Sequence, residues 1–358
     1  MTDSLPRTRA EAFAERLGMR LPILLAPMAG ACPVELSAAV ANAGGMGACG
    51  ALLMQPEAIR GWAEEFRRAS AGEFQINLWI PGAAPVRDAE AERRVREFLG
   101  GFGPAVAAEM AEGVLPDFEA QCRAMLEARP RVISSIMGVF APAFVAEMQA
   151  RGILWFATAT TVAEAQAAAD AGADAIVAQG MEAGGHRGSF QAENAEAQMV
   201  GLFALLPQIV DAVAVPVIAA GGIADGRGVA AALVLGASAV EVGSGFLRCP
   251  EAKIAAAWAE RLGRTEAHET RVTRAFTGRA GRAVRTRYVD AWAAEEAPAA
   301  APYPLQRGLT RPMREEAARA GDAERMQMWC GQAARLARGE AAGEYAQRMW
   351  DEARELLG

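Results

Sequence analysis

The densest group of chemically useful residues in this chain is Gln179-Gly-Met-Glu-Ala-Gly-Gly-His-Arg-Gly188. Glycines at 180, 184, 185 and 188 let the backbone come close to a ligand. His186, set among them, can take or give a proton near neutral pH. It is one of two histidines in the chain. The other, His268 in Arg-Thr-Glu-Ala-His-Glu-Thr, lies in a charged helical stretch and reads as surface. A lone histidine is most often incidental. One flanked by glycines, at the end of an apolar run, is placed for catalysis.

Two further turns favour an anion. Ala219-Ala-Gly-Gly-Ile-Ala-Asp225 and Val242-Gly-Ser-Gly-Phe246 each pass from an apolar run through glycine into a helix start. Backbone N–H groups at such turns face outward, and a helix N-terminus attracts negative charge. Gly221, Gly222, Gly243 and Ser244 are therefore expected to cradle a phosphate, with Gly184 and Gly185 allowing close approach from the neighbouring loop. Earlier in the chain, Ala26, Pro27 and Met28 end an apolar run, and the Met28 thioether can pack on a planar ring. Asn77 and Gln179 place amides at two strand ends, where a polar side chain among apolar ones needs a partner. A methionine, two amides and a phosphate cradle together describe a site for a flat heterocycle bearing a monophosphate. FMN fits that description.

The elements that must position these residues repeat regularly. Apolar runs at Ile23–Pro27, Gly45–Gly50, Phe74–Trp79, Val132–Gly138, Ile153–Thr158, Ala175–Gln179, Val215–Ala220 and Ala239–Gly243 read as strands apolar on both faces. Alanine-rich stretches between most of them carry apolar residues at i, i+3 and i+4, the pattern of helices. Alternating strands and helices imply a parallel sheet, and eight units imply a (β/α)8 TIM barrel, with an open doubly wound sheet as the competitor. In a barrel the loops after the strands build the site, which is where the residues above fall.

Two stretches break the repeat. Residues 82–131 insert charged helical sequence, and residues 251–332 are longer than one crossover helix. The expected division is a cofactor-binding barrel over 1–250, a mainly helical cap over 251–332, and a C-terminal helix over 333–358 that returns to the barrel. APAAAPYP reads as an extended connector. The basic run Arg279, Arg282, Arg285 and Arg287 reads as a solvated loop in preference to a pocket entrance.

Composition bounds the alternatives. The chain has 358 residues, 36 Lys+Arg against 43 Asp+Glu, a net charge of −7 and 52 % hydrophobic residues. An acidic chain without a basic block is a poor partner for nucleic acid. No apolar run reaches the roughly 18 residues of a membrane span, and no signal peptide is visible at the N-terminus. Five scattered cysteines without a Cys-x-x-Cys pair argue for reduced thiols and a cytoplasmic address. There is no metal-ligand constellation, Walker A motif or nucleophile elbow.

The stretches LLAPMAGACPVELSAAVANAGGMGACGA, INLWIPG, AIVAQGMEAGGHRG, VIAAGGIADGRGVAAALVLGASAV and VGSGFL resemble the nitronate monooxygenase family, and APYPLQRGLTRPMR with MWCGQ resembles its class I members. The resemblance implies an FMN-dependent barrel with a helical cap that oxidises alkyl nitronates with O₂ to a carbonyl compound and nitrite, without a nicotinamide. It implies FMN contacts at Met28, Asn77, Gln179, Gly184, Gly222, Gly243 and Ser244. It places His186 over the flavin, as base toward a nitroalkane or as the group that orients the nitronate. Tyr303, Gln332 and Tyr288 would come from the cap and shape the substrate pocket. A homodimer is expected. Two departures stand out: Glu241 where the family often has glutamine, and ISSIMGVF at the fourth strand, whose end lines the pocket. The rivals are an NAD(P)H-dependent quinone or enoyl-thioester reductase on the same scaffold, and a non-redox barrel acting on a phosphorylated metabolite.

Overall fold

Helix-covered strands can be apolar on both faces, and the eight short runs found in the sequence all form parallel strands. A computed structural model describes residues 4–113 and 115–358. Its strands are β1 (Ile23–Leu25), β2 (Gly47–Gly50), β3 (Phe74–Trp79), β4 (Val132–Ile136), β5 (Leu154–Ala159) and β6 (Ala175–Gln179). A two-residue strand β7 (Gly185–His186) follows, and then β8 (Val217–Ala220) and β9 (Ala239–Val242) complete the set. The order β1-β9-β8-β6-β5-β4-β3-β2 becomes a ring through a parallel bridge between Leu24 and Met46. The fold is a (β/α)8 barrel, not an open sheet.

Helix α1 (Leu5–Arg16) precedes the first strand and closes the lower end of the barrel. Its Phe13 and Ala14, with Leu17 and Met19, pack against Leu24, Met46, Val132, Phe156, Val177 and Ile218 inside the ring. A side chain fully buried there contributes about 1.5–3 kcal/mol. The outer layer consists of α2 (Val34–Asn42), α3 (Pro56–Ala69), α5 (Phe118–Ala128), α6 (Pro142–Ala150), α7 (Val162–Asp170), α8 (Leu202–Ala212), α9 (Gly226–Val234) and α14 (Ala342–Leu357). The last of these packs against α9 and α2, so it supplies the eighth helix after a long excursion of the chain. Helix N-termini are capped where short polar residues precede them: Thr161 accepts from the Glu164 amide, and Asp225 from those of Arg227 and Gly228.

The two stretches outside the repeat share one apolar core. Helix α4 (Ala89–Leu99) contributes Val95 and Leu99. The later stretch contributes Phe276, Tyr288, Leu305, Leu309 and Met313, the last four from or beside α11 (Arg287–Trp292), α12 (Leu305–Leu309) and α13 (Arg311–Ala320). A further helix, α10 (Ala256–Leu262), lies nearer the barrel. The cap is not helical throughout. Strands β10 (Thr270–Thr273) and β11 (Gly281–Val284) form an antiparallel ribbon, and β11 also pairs with β7. The basic run expected as a solvated loop is built in at one member: Arg282 lies on β11 and is buried, its Nε donating to the Met181 carbonyl at 2.9 Å, while Arg285 and Arg287 are exposed. Isolated arginines in so charged a sequence carry no period-2 signal strong enough to announce a strand. Among the described residues no helix is long and apolar enough to cross a membrane.

Candidate active site

The loop after β6 is glycine-rich yet tightly held. The Gln179 side chain donates from Nε2 to the His186 carbonyl at 3.1 Å and accepts the Gly188 amide on Oε1 at 2.8 Å. Arg187, also buried, donates to the carbonyls of Gly180 at 2.7 Å and Gln179 at 3.3 Å. From the cap, the Gln332 amide donates to the Glu182 carbonyl at 2.9 Å, and the Gly331 amide to Ser244 Oγ at 2.8 Å. A Cβ at Gly184 would run into the Gly331 nitrogen, which fixes glycine at that junction. Gln179 thus spends most of its amide on shaping the loop that carries His186.

The two anion turns sit beside that loop on one arc of the ring, since β6, β8, β9 and β1 are consecutive neighbours. Gly221 and Gly222 have φ of +107° and +70°, which only glycine adopts freely. Among the described residues the amides of Gly222, Ile223, Ser244 and Gly245 donate to no partner. Four free N–H groups at two helix-facing turns are what a phosphate requires. Beyond this, the cradle loop is secured by the last helix. The Tyr345 hydroxyl donates to the Ala224 carbonyl, and the Gly226 amide donates to Glu352 at 3.1 Å. Met28 lies against Gly243, where a Cβ would come within 3.4 Å of its sulfur, and Ala26 borders the same point. Pro27 lies between these two, after the strand has ended at Leu25. Asn77, on β3, donates both amide hydrogens to Ser134, at 3.2 Å to its carbonyl and 3.1 Å to Oγ, and so offers its Oδ1 as an acceptor.

Glu182 was not anticipated. Its carboxylate accepts the Leu202 amide at the start of α8, at 2.9 and 3.0 Å, and its stem lies beside Gly222. Glu241 does not face the phosphate turn. It points inside the barrel, where it accepts from Gln75 Nε2 at 2.9 Å, and burial raises its pKa to about 7. Gln75 and Glu241 stand two residues before Asn77 and Gly243 on their strands, one layer below the mouth.

His186 is wedged between two indoles, with ring centroids 4.6 Å from Trp79 and 4.7 Å from Trp329. Neither tryptophan was singled out from sequence. Trp79 had a readable signal, because it lies two residues after Asn77 and so on the same strand face. Trp329 did not, because it reaches His186 only through the cap, bridging Ala283 across from β11. A Cβ at Gly281 would sit 3.0 Å from that indole, so β11 needs glycine there. Burial pushes the His186 pKa down to about 3, and the nearby charges of Arg279 and Arg307 push it the same way. The ring is therefore neutral at physiological pH. His186 Nε2 lies 2.9 Å from Thr277 Oγ1, and that hydroxyl also lies 3.2 Å from the Arg279 carbonyl, to which it can donate. With the hydroxyl proton so placed, Nε2 is the imidazole donor and Nδ1 keeps the lone pair.

Above β2, β3 and β4 the barrel and cap enclose a cleft of about 1340 Å³. Trp79 and Tyr303 line it, with ring centroids 5.3 Å apart, and so do Arg279 and the APAAAPYP segment. Met137, just after β4, lines it as well, at a left-handed φ of 70°. Two of the expected pocket residues lie elsewhere. Tyr288 is fully buried in the cap, packed on Phe102, Phe276 and Trp292, and its hydroxyl donates to the Ala275 carbonyl at 2.9 Å. Its polar atom is consumed by the cap's own backbone. Gln332 turns away from the cleft, its Nε2 donating toward the Ala267 carbonyl at 3.4 Å.

The family model for nitronate monooxygenase matches residues 12–351. A probable nitronate monooxygenase of Staphylococcus aureus (strain Newman) is 34 % identical over 328 residues, covering 91 % of this chain and 92 % of that protein. The solved nitroalkane oxidase from Streptomyces ansochromogenes superposes with a TM-score of 0.85 at 34 % identity, covering 97 % of this chain and all of the other. FabK from Thermotoga maritima gives 0.74 at 26 % identity, with 97 % and 96 % covered.

Proposed function

The chain belongs to the nitronate monooxygenase family, and from that premise we propose that it uses FMN to oxidise alkyl nitronates with O₂, yielding a carbonyl compound and nitrite. It is an oxidoreductase of the group that oxidises nitro compounds. The observation that carries the finer reading is the set of unpartnered amides at Gly222, Ile223, Ser244 and Gly245, next to the loop that holds His186. These amides, with Gly221 and Gly243, would hold the phosphate, while Met28 and Asn77 would meet the ring and Gly184 and Gly185 would leave room for it. When bound, FMN would supply redox chemistry between the substrate carbon and O₂. On this reading residues 251–332 with the 82–117 segment form the substrate-side cap, and the rest forms the flavin-binding barrel.

The chain's own residues then bind, orient and exclude water. A base with a pKa of about 3 is poorly matched to stripping a proton from a neutral nitroalkane at pH 7. That favours a substrate that arrives already as its anion. Neutral His186, held by Thr277 at Nε2, has only the Nδ1 lone pair left, so it positions such an anion by shape and not by donating a hydrogen bond. Positive charge for the substrate comes instead from Arg279 and Arg307, the two groups whose fields depress His186. Trp79 and Trp329 keep water from the imidazole.

Oxygen uptake on adding an alkyl nitronate to the purified protein, with no nicotinamide present, tests the reading. Rapid, saturable uptake with nitrite formed is expected. Flavin-loaded protein that takes up no oxygen with nitronates, and whose colour NADH or NADPH bleaches instead, would overturn it in favour of the reductase.

A further inference from the structure

The nitronate reading needs room for a flavin and a nitro group, and the cleft above β2, β3 and β4 adjoins His186 through Trp79 while extending away from the glycine turns. Its walls include none of Met28, Gln179, Gly184, Gly222 or Ser244. At about 1340 Å³ it exceeds the roughly 300–1,000 Å³ of an ordinary small-ligand pocket, and a nitronate of two or three carbons would leave most of it to water. The walls are partly sorted by chemistry, with Arg87 and Glu112 also on them. Leu52 follows β2, Leu78 lies on β3 and Met137 follows β4, and with Leu115 and Phe118 they make an apolar trough. Gln121, the amide in that arm, donates to the carbonyls of Ala51 at 3.0 Å and Met54 at 2.8 Å, so its NH₂ is spent within the protein.

The other arm sets Arg271, Arg274 and Arg279 against Glu193 and Glu196. Arg274 there is paired with Glu196 at 2.5 Å. Arg279 has no ion pair among the described residues, and its one side-chain hydrogen bond is a long one, 3.4 Å, to the Ser189 carbonyl. Glu193 is the acid whose charge reaches it. Beside it the Tyr303 hydroxyl is buried with no hydrogen-bond partner. A half-buried guanidinium and an orphan hydroxyl in one cleft call for an anionic group.

We infer that this cleft selects an anionic nitro compound with a long apolar tail, its charged head held at Arg279 beside Tyr303 and its chain laid along Leu52, Leu78, Leu115, Phe118 and Met137. The inference rests on the nitronate reading for the chemistry of the head, and on the cleft alone for the tail. Alkanoates, unreactive carboxylates of the same charge and similar shape, separate the two. Binding of the series from acetate to decanoate to the flavin-loaded protein would be followed by tryptophan fluorescence or calorimetry. In parallel, kcat/KM would be measured for the nitronates of nitroethane, nitrobutane, nitrohexane and nitrooctane.

Both series should climb by about fourfold per methylene, the worth of burying one CH₂. Alkanoate affinity that is flat or falls with length overturns the inference. Affinity that climbs while no nitronate of any length is oxidised supports the cleft assignment and sinks the nitronate reading instead. The head is tested by Arg279→Ala, which should weaken decanoate about tenfold, the loss of one charge-assisted hydrogen bond, and leave decanol unaffected. Equal loss for both ligands would show that Arg279 does not hold the head.

Discussion

The two halves of the barrel mouth are built from different material. On the arc β6-β8-β9-β1 the groups offered to a ligand are backbone amides at glycine turns. On the arc β2-β3-β4 they are side chains, many of them lent by the cap. Backbone geometry has no graded substitutes, because one Cβ or one lost left-handed φ removes the site. A wall of side chains can be trimmed a methylene at a time. The first half therefore suits an invariant partner such as a cofactor, and the second suits a substrate whose size can drift.

The contrast can be broken most severely at Gly222. Gly222→Val puts a β-branched residue at φ +70°, which costs about 1–2 kcal/mol before any clash with Glu182. The protein should purify with at least about tenfold less flavin, and a normal flavin absorbance would dismiss the cradle. At the join of the two halves, His186→Asn should keep the flavin and lower turnover by about 10²-fold, the cost of a misplaced substrate. Unchanged kinetics would take His186 out of the mechanism. Because the ring is neutral throughout, the wild-type pH–rate profile should also lack a limb near 6.5 from this residue.

Smaller effects sharpen the comparison. Thr277→Val removes the partner of His186 Nε2 and should reduce kcat by about fivefold to tenfold, with Thr277→Ser restoring it. Nitrogen NMR of the imidazole distinguishes a changed tautomer from a general loss of order, and an unaltered spectrum would count against Thr277 as its keeper. Glu241→Gln acts on stability. The unfolded carboxyl loses its proton near 4.5 and the folded one near 7, so the folded state holds more protons in between and stability falls as pH rises through that window. The loss is up to about 3 kcal/mol. Thermal midpoints of the wild type should decline from pH 5 to 7 relative to the glutamine variant, and parallel curves would show that Glu241 is not titrating there.

The same contrast explains what could be read from sequence. Gly221, Gly222, Gly243 and Ser244 announce their turn because the chemistry is local: strand, glycine and helix start lie within six residues. All eight strands were legible for the same reason, as was the returning helix α14. Tyr288 and Gln332 misled, since only a folded cap shows that one hydroxyl is spent on the Ala275 carbonyl and one amide faces Ala267. Trp329 and Thr277 were invisible because they meet His186 from far along the chain, through a ribbon whose arginines mask its strand pattern. Arg279 was noticed but assigned to solvent. An arginine run is usually solvated, and nothing in the run marks Arg279 as the member that lines the cleft.

The position of α14 bears on synthesis. The ribosome releases all eight strands by residue 242, yet the helix that completes their outer layer begins at residue 342. That helix also supplies Tyr345 and Glu352, which grip the loop carrying Gly221 and Gly222. A nascent chain at the intermediate lengths has its strands but an unsecured cradle. If these turns hold the flavin as proposed, its capture would be deferred to the end of translation, and a coloured molecule would be one whose last helix has docked.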